Sequence, residues 1–423
     1  MKWIVALLDV LFFSQNYARE IKACRTEAKI VVDGRIDETE WPLALFQCGF
    51  TQMEPDKGQP STEVTRVAVQ FDEEAIYVAF ICNKSYPDPV VAKQTRRDRL
   101  EKRDDVVAVC FDTYHDSRSA YWFMTNGLDT QVDVRISDDG KYTDTNWDAG
   151  WEVQTALTDS GWSAEFAVPF TSIRFNPKLE TWGVNFGRFI PKTLETSYWS
   201  GTMDSDFRVS QYGVLTGLEF PKKRSELRLI PYSTTRYETF SEDRWNTEVG
   251  LDVEYRYQNN ITGNITVNPD FATVEGDREQ INMTRWELEF PEKRKFFLEG
   301  NEMFQNRIRA FYSRRIGEID YGGKAIGKIG PYAFAVIGVG AKAVEDNPRT
   351  PKDEAFPRYH TGVFRLKRDV LKSSTIGLLF VDKEWEGGYN RVWSLDGVFH
   401  FPRYFHFTTQ FVFASPGDFK QNY

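Results

Sequence analysis

The sequence predicts an all-β chain in two parts: a β-sandwich, then an antiparallel unit with the pattern of a barrel. Three observations carry this. From Lys29 onward, short runs alternate apolar and polar residues between closely spaced turns. After the basic seam Lys222-Lys223-Arg224 the runs change character, with one face apolar and aromatic-ended and the other almost wholly polar. Beyond the N-terminus, no apolar run is long enough for a membrane-spanning helix.

The first 23 residues read as a secretory signal. Lys2 precedes the apolar run Trp3 to Phe13, which is too short to span a bilayer, and cleavage is expected after Ala18 or Ala23. Cys24 stands where a lipoprotein would be acylated, but Lys22 occupies a position that needs a small or apolar residue. The cysteines are Cys24, Cys48, Cys82 and Cys110. Cys82 and Cys110 lie inside apolar strands and suit buried thiols at least as well as a disulfide. A net charge of -9 argues against nucleic acid as a partner. An aromatic content of 15% fits sugar-stacking surfaces, membrane girdles, or both.

Residues 24–222 are expected to form the sandwich. Val67, Val69 and Phe71 alternate with Ala68 and Gln70. Ile76, Val78, Phe80 and Cys82 follow a turn, and Val107, Val109 and Phe111, then Val132, Val134 and Ile136, supply further strands. Trp151, Val153 and Leu157 enter a turn at Asp159-Ser160-Gly161 and Trp162 to Val168 leave it, which is a hairpin. Trp41, Trp151, Trp162 and Trp182 sit in or beside strand patterns and read as core. Asp33 and Asp37 read as turn-setting residues, and Asp104 and Asp105 as partners for Arg96, Arg97 or Arg103, with a structural calcium as the alternative.

Residues 223–423 carry longer alternations. Val249, Leu251, Val253, Tyr255 and Tyr257 interleave with Gly250, Asp252, Glu254, Arg256 and Gln258. Phe405, Phe407, Phe411 and Phe413 likewise interleave with His406, Thr408 and Gln410. Weaker versions occupy 332–340, 363–367, 376–380 and 393–401. In a soluble sandwich the polar face would meet water, and in a membrane barrel it would line the lumen, so periodicity alone fits both. Pro416-Gly417-Asp418 is expected to break the last strand, leaving the barrel C-terminally incomplete.

Between these strands lies the segment Asn268 to Phe304. It mixes both signs of charge with Phe271, Trp286, Phe290, Phe296 and Phe297. It is too charged to face lipid and too aromatic for a solvated linker, so a self-pairing network at a lumen or rim is expected. Its NPDF at Asn268–Phe271, the Pro291–Phe297 run and Leu298–Gly300 closely resemble the signature of a family of uncharacterised Gram-negative outer-membrane barrel proteins. The resemblance covers roughly the last half of the chain. It implies an incomplete antiparallel transmembrane β-barrel in contact with outer-membrane lipid, with the N-terminal domain in the periplasm.

The first half is similar to family 9 carbohydrate-binding modules. The similarity runs through Val31–Trp41, Asp104–Thr113, Gly161–Phe170 and Trp182–Phe189, over roughly residues 27–220. It implies a jelly-roll-like β-sandwich that binds polysaccharide or oligosaccharide, clamping sugar between two tryptophans, with structural calcium in some members. Trp199 matches one side of the clamp. The stretch Gln94 to Asp105, which should supply the other side, has no aromatic residue. Trp147 and Tyr121 are further candidate platforms, and Arg97 and Asp105 candidate polar partners.

No HExxH, CxxC, GxSxG or phosphate loop is present, and no catalytic residue is assigned. The acidic cluster Asp270, Glu275, Asp277 and Glu279 is a conceivable glycosidase site, though any acid-rich chain offers such pairs. The expected function is non-catalytic glycan capture or uptake by an outer-membrane barrel protein. The rivals are a secreted polysaccharide-acting enzyme and an envelope assembly protein whose sandwich binds a protein partner.

Overall fold

A computed structural model describes residues 18–86, 88–99, 103–220, 225–237, 245–269, 290, 292–342, 358–371, 373–401 and 405–418. The first half contains strands β1 (Glu20–Lys22), β2 (Cys24–Arg25), β3 (Thr51–Glu54), β4 (Thr65–Phe71), β5 (Ala75–Asn83), β6 (Val106–Asp112) and β7 (Ala120–Asn126). They are followed by β8 (Val132–Ser137), β9 (Tyr142–Asp144), β10 (Glu152–Thr158), β11 (Gly161–Pro169), β12 (Trp182–Ile190), β13 (Glu195–Tyr198) and β14 (Gly213–Thr216). These make two sheets. One has the order β1-β14-β12-β6-β7-β8-β9, with β13 and β3 added beside β12, and the other the order β10-β11-β5-β4-β2.

The alternation seen in sequence decides what lies between the sheets. Val67, Val69 and Phe71 of β4 and Phe80 of β5 meet Val109, Phe111 and Phe186 of the facing sheet in one core. Phe80 packs edge-on against Phe186 at 5.9 Å, an aromatic contact that ties the sheets together. The intervening residues are also covered. Ala68 and Ala79 lie under Trp41 and Ile30, and Ala108 and Cys110 under Met203, Val209 and Tyr212. Double cover explains why β6 is buried along its whole length. Trp41, Trp151, Trp162 and Trp182 are all core residues, as expected. The β10–β11 hairpin turns at Asp159-Ser160, pairing Thr158 with Gly161. Asp33 accepts the N–H of Arg35 and Asp37 that of Thr39, so both do set turns. All four cysteines are free, with Cys82 and Cys110 buried.

The sandwich starts earlier than the expected boundary at residue 24. Glu20–Lys22 pairs in parallel with Val214–Thr216, and Ile21 is 1% exposed. Cleavage after Ala18 keeps this strand, whereas cleavage after Ala23 would remove a buried part of the core.

The second half is an antiparallel sheet in which each strand pairs with its neighbours in the chain. Its strands are β15 (Ser225–Tyr237), β16 (Trp245–Tyr257), β17 (Ile261–Val267), β18 (Ile319–Ile329), β19 (Tyr332–Lys342), β20 (Arg358–Val370), β21 (Ser374–Trp385), β22 (Gly388–His400) and β23 (His406–Asp418). The alternating runs read from the sequence lie in these strands, with Phe401 and Phe405 bonded to each other just beyond the ends of β22 and β23. The expected break at Pro416-Gly417-Asp418 is corrected, because these residues pair with Asn390, Tyr389 and Gly388 inside β23. Pro416 of β23 stands opposite Asn390, and Pro231 of β15 opposite Leu251.

One face of this sheet is covered by residues 292–316, which include a helical turn, α1 (Lys295–Leu298). Phe296, Phe297, Met303 and Phe304 pack on Ile326, Ile337, Val363 and Leu379. Charged residues share this covered face. Arg365 is 0% exposed, forms a two-pronged ion pair with Asp396 at 2.5 and 2.9 Å, and donates to the Met303 carbonyl at 2.9 Å. Lys324 donates to the carbonyls of Phe296 and Glu299. Within the covering segment, Arg294 donates to Glu292 at 2.8 and 2.9 Å and to the Ser313 and Ile316 carbonyls at 2.7 Å. Among the described residues of the segment singled out from sequence, Glu292 and Arg294 pair as expected, while 270–289 and 291 lie outside the described residues. Gly300 permits the segment's close approach to the sheet, since a Cβ there would stand 2.1 Å from Ile326 Cδ1 and its φ is +83°.

The other face points away from that cover and exposes apolar side chains across the whole sheet. They include Leu229, Val249, Leu251, Ile265, Val336, Phe364, Leu395, Phe411 and Phe413.

Candidate functional site

The sandwich docks on one rim of the nine-stranded sheet. Asp116, in the β6–β7 loop, pairs with Lys328, and Arg118 pairs with Asp369 and donates to the Ser374 carbonyl at 3.1 Å. Asp138 at the end of β8 faces Lys367 at 3.7 Å. The covering segment joins this junction, because Glu302 receives Arg135 at 2.6 Å and Arg174 at 3.4 Å, both from the sandwich. Burial raises the Asp112 carboxyl above its ordinary range, and its neighbour Asp116 adds to the rise.

A cavity of about 630 Å³ opens beside this junction, between the sandwich, strands β15–β17 and the covering segment. Tyr121 comes from β7, Arg135 from β8, Trp147 from the segment after β9, and Arg174 from the segment after β11. The sheet adds Arg228, Glu254, Arg256 and Asn264, and the covering segment adds Lys295 and Glu299. Trp147 and Tyr121 pack at 4.8 Å between ring centres, and Trp147 is braced edge-on by Phe123 at 5.9 Å. The guanidinium of Arg135 stands 5.8 Å over the Tyr121 ring, and Tyr121 Oη accepts the backbone N–H of Arg174 at 3.2 Å. Glu254 receives Arg256 at 2.8 Å. Asn264 Nδ2 donates to Glu299 at 3.3 Å, while Asn264 Oδ1 is buried without a partner. Burial raises the Glu299 carboxyl, but Lys324, Arg174, Arg256 and Arg135 outweigh it and hold the group below its ordinary range.

The half-buried Trp147 offers aromatic surface for the C–H face of a sugar ring, with the buried Tyr121 behind it and a surround of planar donors and acceptors for the hydroxyls. Of the residues expected from sequence, the arrangement brings together Trp147 and Tyr121. Arg97 stands behind them. It pairs with Asp133 at 2.9 Å and Asp148 at 2.5 Å and donates to the Ala149 carbonyl, which fixes the loop that carries Trp147. Burial raises the Asp133 carboxyl to about 6, against the pull of the Ala149 N–H and Arg97.

Trp199 and Asp105 are corrections. Trp199 is 1% exposed, packs edge-on against Phe186 at 5.5 Å and lies over Gly213, where a Cβ would meet its ring at 2.5 Å. Its faces are spent on the core and offer no sugar platform. Asp105 is fully buried, pairs with Arg188 at 3.4 Å and accepts from Trp162 Nε1 and the Tyr86 hydroxyl. Asp104 accepts the N–H groups of Lys93 and Gln94 and the Asn126 amide. With both carboxylates engaged by protein donors, this donor set does not fit calcium. Among the described residues no three His, Cys, Asp or Glu side chains converge as a metal-holding group. The acidic cluster Asp270, Glu275, Asp277 and Glu279 lies outside the described residues.

Sequence reading missed Arg135, Arg174, Asn264, Lys295 and Glu299. Lys295 and Glu299 lie in the charged segment singled out from sequence, and Arg135 stands between the apolar Val134 and Ile136 of one strand. Nothing local marks Arg174 or Asn264.

A family model described as "Domain of unknown function (DUF5916)" matches residues 224–326. No curated protein matches the chain. Among solved structures, a "putative carbohydrate-binding protein" from Bacteroides uniformis ATCC 8492 is 13% identical, covering 47% of this chain and 99% of its own, with a TM-score of 0.37. A family 9 carbohydrate-binding module from Caldicellulosiruptor kristjanssonii, solved with glucose, is 15% identical over 48% of this chain and 98% of its own, with a TM-score of 0.31. The module solved with cellotriose gives 15% identity, 48% and 95% coverage, and a TM-score of 0.31. At these scores the likeness is slight, and the sandwich rests on its own strand pairing and core.

Proposed function

We propose that this chain is a non-catalytic outer-membrane barrel protein whose sandwich lies in the periplasm and whose junction cavity captures a saccharide. The observation that carries the membrane reading is the inverted burial of the nine-stranded sheet. Its outward face is largely apolar and exposed, with Asp382 and Glu384 paired to Arg391 toward one rim, while Arg365, Lys324, Lys367 and Asp396 are buried on the covered face. On β16 the outward positions from Trp245 to Tyr257 hold no charge, and on β20 the outward charges are Arg358 and Arg368 at its ends. Ten residues separate these two, about 33 Å along a strand and about 25 Å of height at the usual tilt, which matches the apolar band of an outer-membrane barrel. Aromatic side chains flank the band on both sides, with Tyr237, Trp245 and Tyr321 at one rim and Tyr257, Tyr332 and Phe405 at the other. No helix among the described residues is long and apolar enough to cross a membrane, which says nothing about strands.

Loop lengths support the orientation. The rim that holds the sandwich is closed by connections 258–260, 330–331, 371–373 and 401–405, and the opposite rim by 238–244, 268–318, 343–357 and 386–387. Outer-membrane barrels keep short turns on the periplasmic side and longer loops outside. The saccharide reading rests on Trp147 and Tyr121 lining a cavity with donors and acceptors around them.

Cell fractionation tests the first part. The protein should travel with outer-membrane markers, show heat-dependent gel mobility, and lose its sandwich to protease only after the outer membrane is opened. Recovery as a soluble periplasmic protein overturns it. Titration of the purified protein with oligosaccharides tests the second part.

A further inference from the structure

Resting on that saccharide reading, we propose that the junction cavity is a subsite for an acidic sugar, one bearing a carboxylate of the uronate type. The lining carries Arg135, Arg174, Arg228, Arg256 and Lys295 against Asp148, Glu254 and Glu299, an excess of two positive charges (five minus three). The acids are already matched. Asp148 has Arg97, Glu254 has Arg256 and Arg228, and Glu299 has Lys324 at 3.9 Å and the Asn264 amide. The cations are less fully matched. Arg135 and Arg174 share one oxygen, Glu302 Oε1. Lys295 is exposed and has no acidic partner among the described residues.

The lowered acidity range of Glu299, held down against its own burial, reports the same positive potential at the cavity wall. A neutral sugar would leave that potential unanswered. A sugar carboxylate would meet Lys295 and the Arg135–Arg174 pair. The ring face would lie on Trp147, which Tyr121, itself buried, backs from the core.

The test titrates the full chain, in detergent, with a galacturonate tetrasaccharide and with the neutral galactose tetrasaccharide of the same linkage. The acidic ligand should bind at least tenfold more tightly, and Lys295→Gln should bring its affinity down to that of the neutral one. Lys295 is exposed, so this change does not threaten the fold. Trp147→Ala should weaken both ligands. Equal binding of the two tetrasaccharides, both weakened by Trp147→Ala, would overturn the acidic preference and leave the saccharide reading standing. A preference that survives Lys295→Gln would overturn the assignment of the carboxylate to this cavity. Binding of neither ligand would remove the saccharide reading, and this inference with it.

Discussion

In the sandwich, Phe80, Phe186 and Trp182 turn inward to a shared apolar core, and among the charged residues buried there Arg188 is paired with Asp105. In the nine-stranded sheet the arrangement is turned about. Val249, Phe411 and Phe413 are 68%, 69% and 66% exposed, while Arg365, Lys324 and Asp396 lie under the covering segment. Both regions use the same period-two alternation. The difference teaches that alternation divides a strand into two faces without saying which of them meets the surroundings. The element packed on the strands decides that. In the sandwich a second sheet covers the apolar face, whereas in the second half an aromatic and ionic segment covers the face that mixes apolar side chains with Arg365, Lys324 and Asp396.

Breaking the buried ion pair of the second region should have the largest effect. Arg365→Leu leaves Asp396 without its partner beneath the covering segment, and about 3–5 kcal/mol of stability should be lost, read as a lower temperature for loss of heat-dependent gel mobility. An unchanged transition would mean that the covered face is wet. Next is the outward face. Leu251→Arg should cost about 2–4 kcal/mol if that face meets lipid, whereas Glu254→Gln, on the covered face of the same strand, should cost less. Equal effects in denaturant titrations of the membrane-assembled protein would erase the contrast between faces.

The junction itself comes third. Arg118→Ala removes the pair with Asp369 and the bond to the Ser374 carbonyl, and a loss of about 1.5–3 kcal/mol in docking is expected for charged hydrogen bonds of this kind. Faster protease release of an intact sandwich would show it. The smallest effect lies within the sandwich and depends on pH. Asp133 is held at about 6, above its unfolded value, because burial disfavours its charge. The folded state therefore keeps the proton longer, so this contribution is full below the unfolded pKa and is lost as pH rises through about 6. Asp133→Asn should gain on wild type by about 1–2 kcal/mol between pH 4 and pH 7, measured as the difference in thermal midpoints. A difference that does not change with pH would place Asp133 in water.

Much of the fold was legible because strand signals are local. The runs at 67–71, 76–82, 107–111 and 249–257 all became strands, and the four tryptophans read as core are buried. The site was legible only in part. Trp147 and Tyr121 could be named as candidate platforms, but Trp199 looked equally available and is buried, since its cover by Phe186 and Gly213 comes from other strands. Pro416 looked like a strand breaker because the local sequence does not show its pairing with Asn390 of the neighbouring strand.

The sequence by itself determined that the chain is all-β, where most strands run and which residues share a face, because side-chain direction in a strand repeats every two residues and needs no distant partner. The tertiary structure alone decided which face is covered, and that Arg135 and Arg174 reach Glu302 across more than a hundred residues of chain. It also decided that a cavity forms between parts far apart in sequence. These depend on how distant segments meet, and a local period holds no information about that.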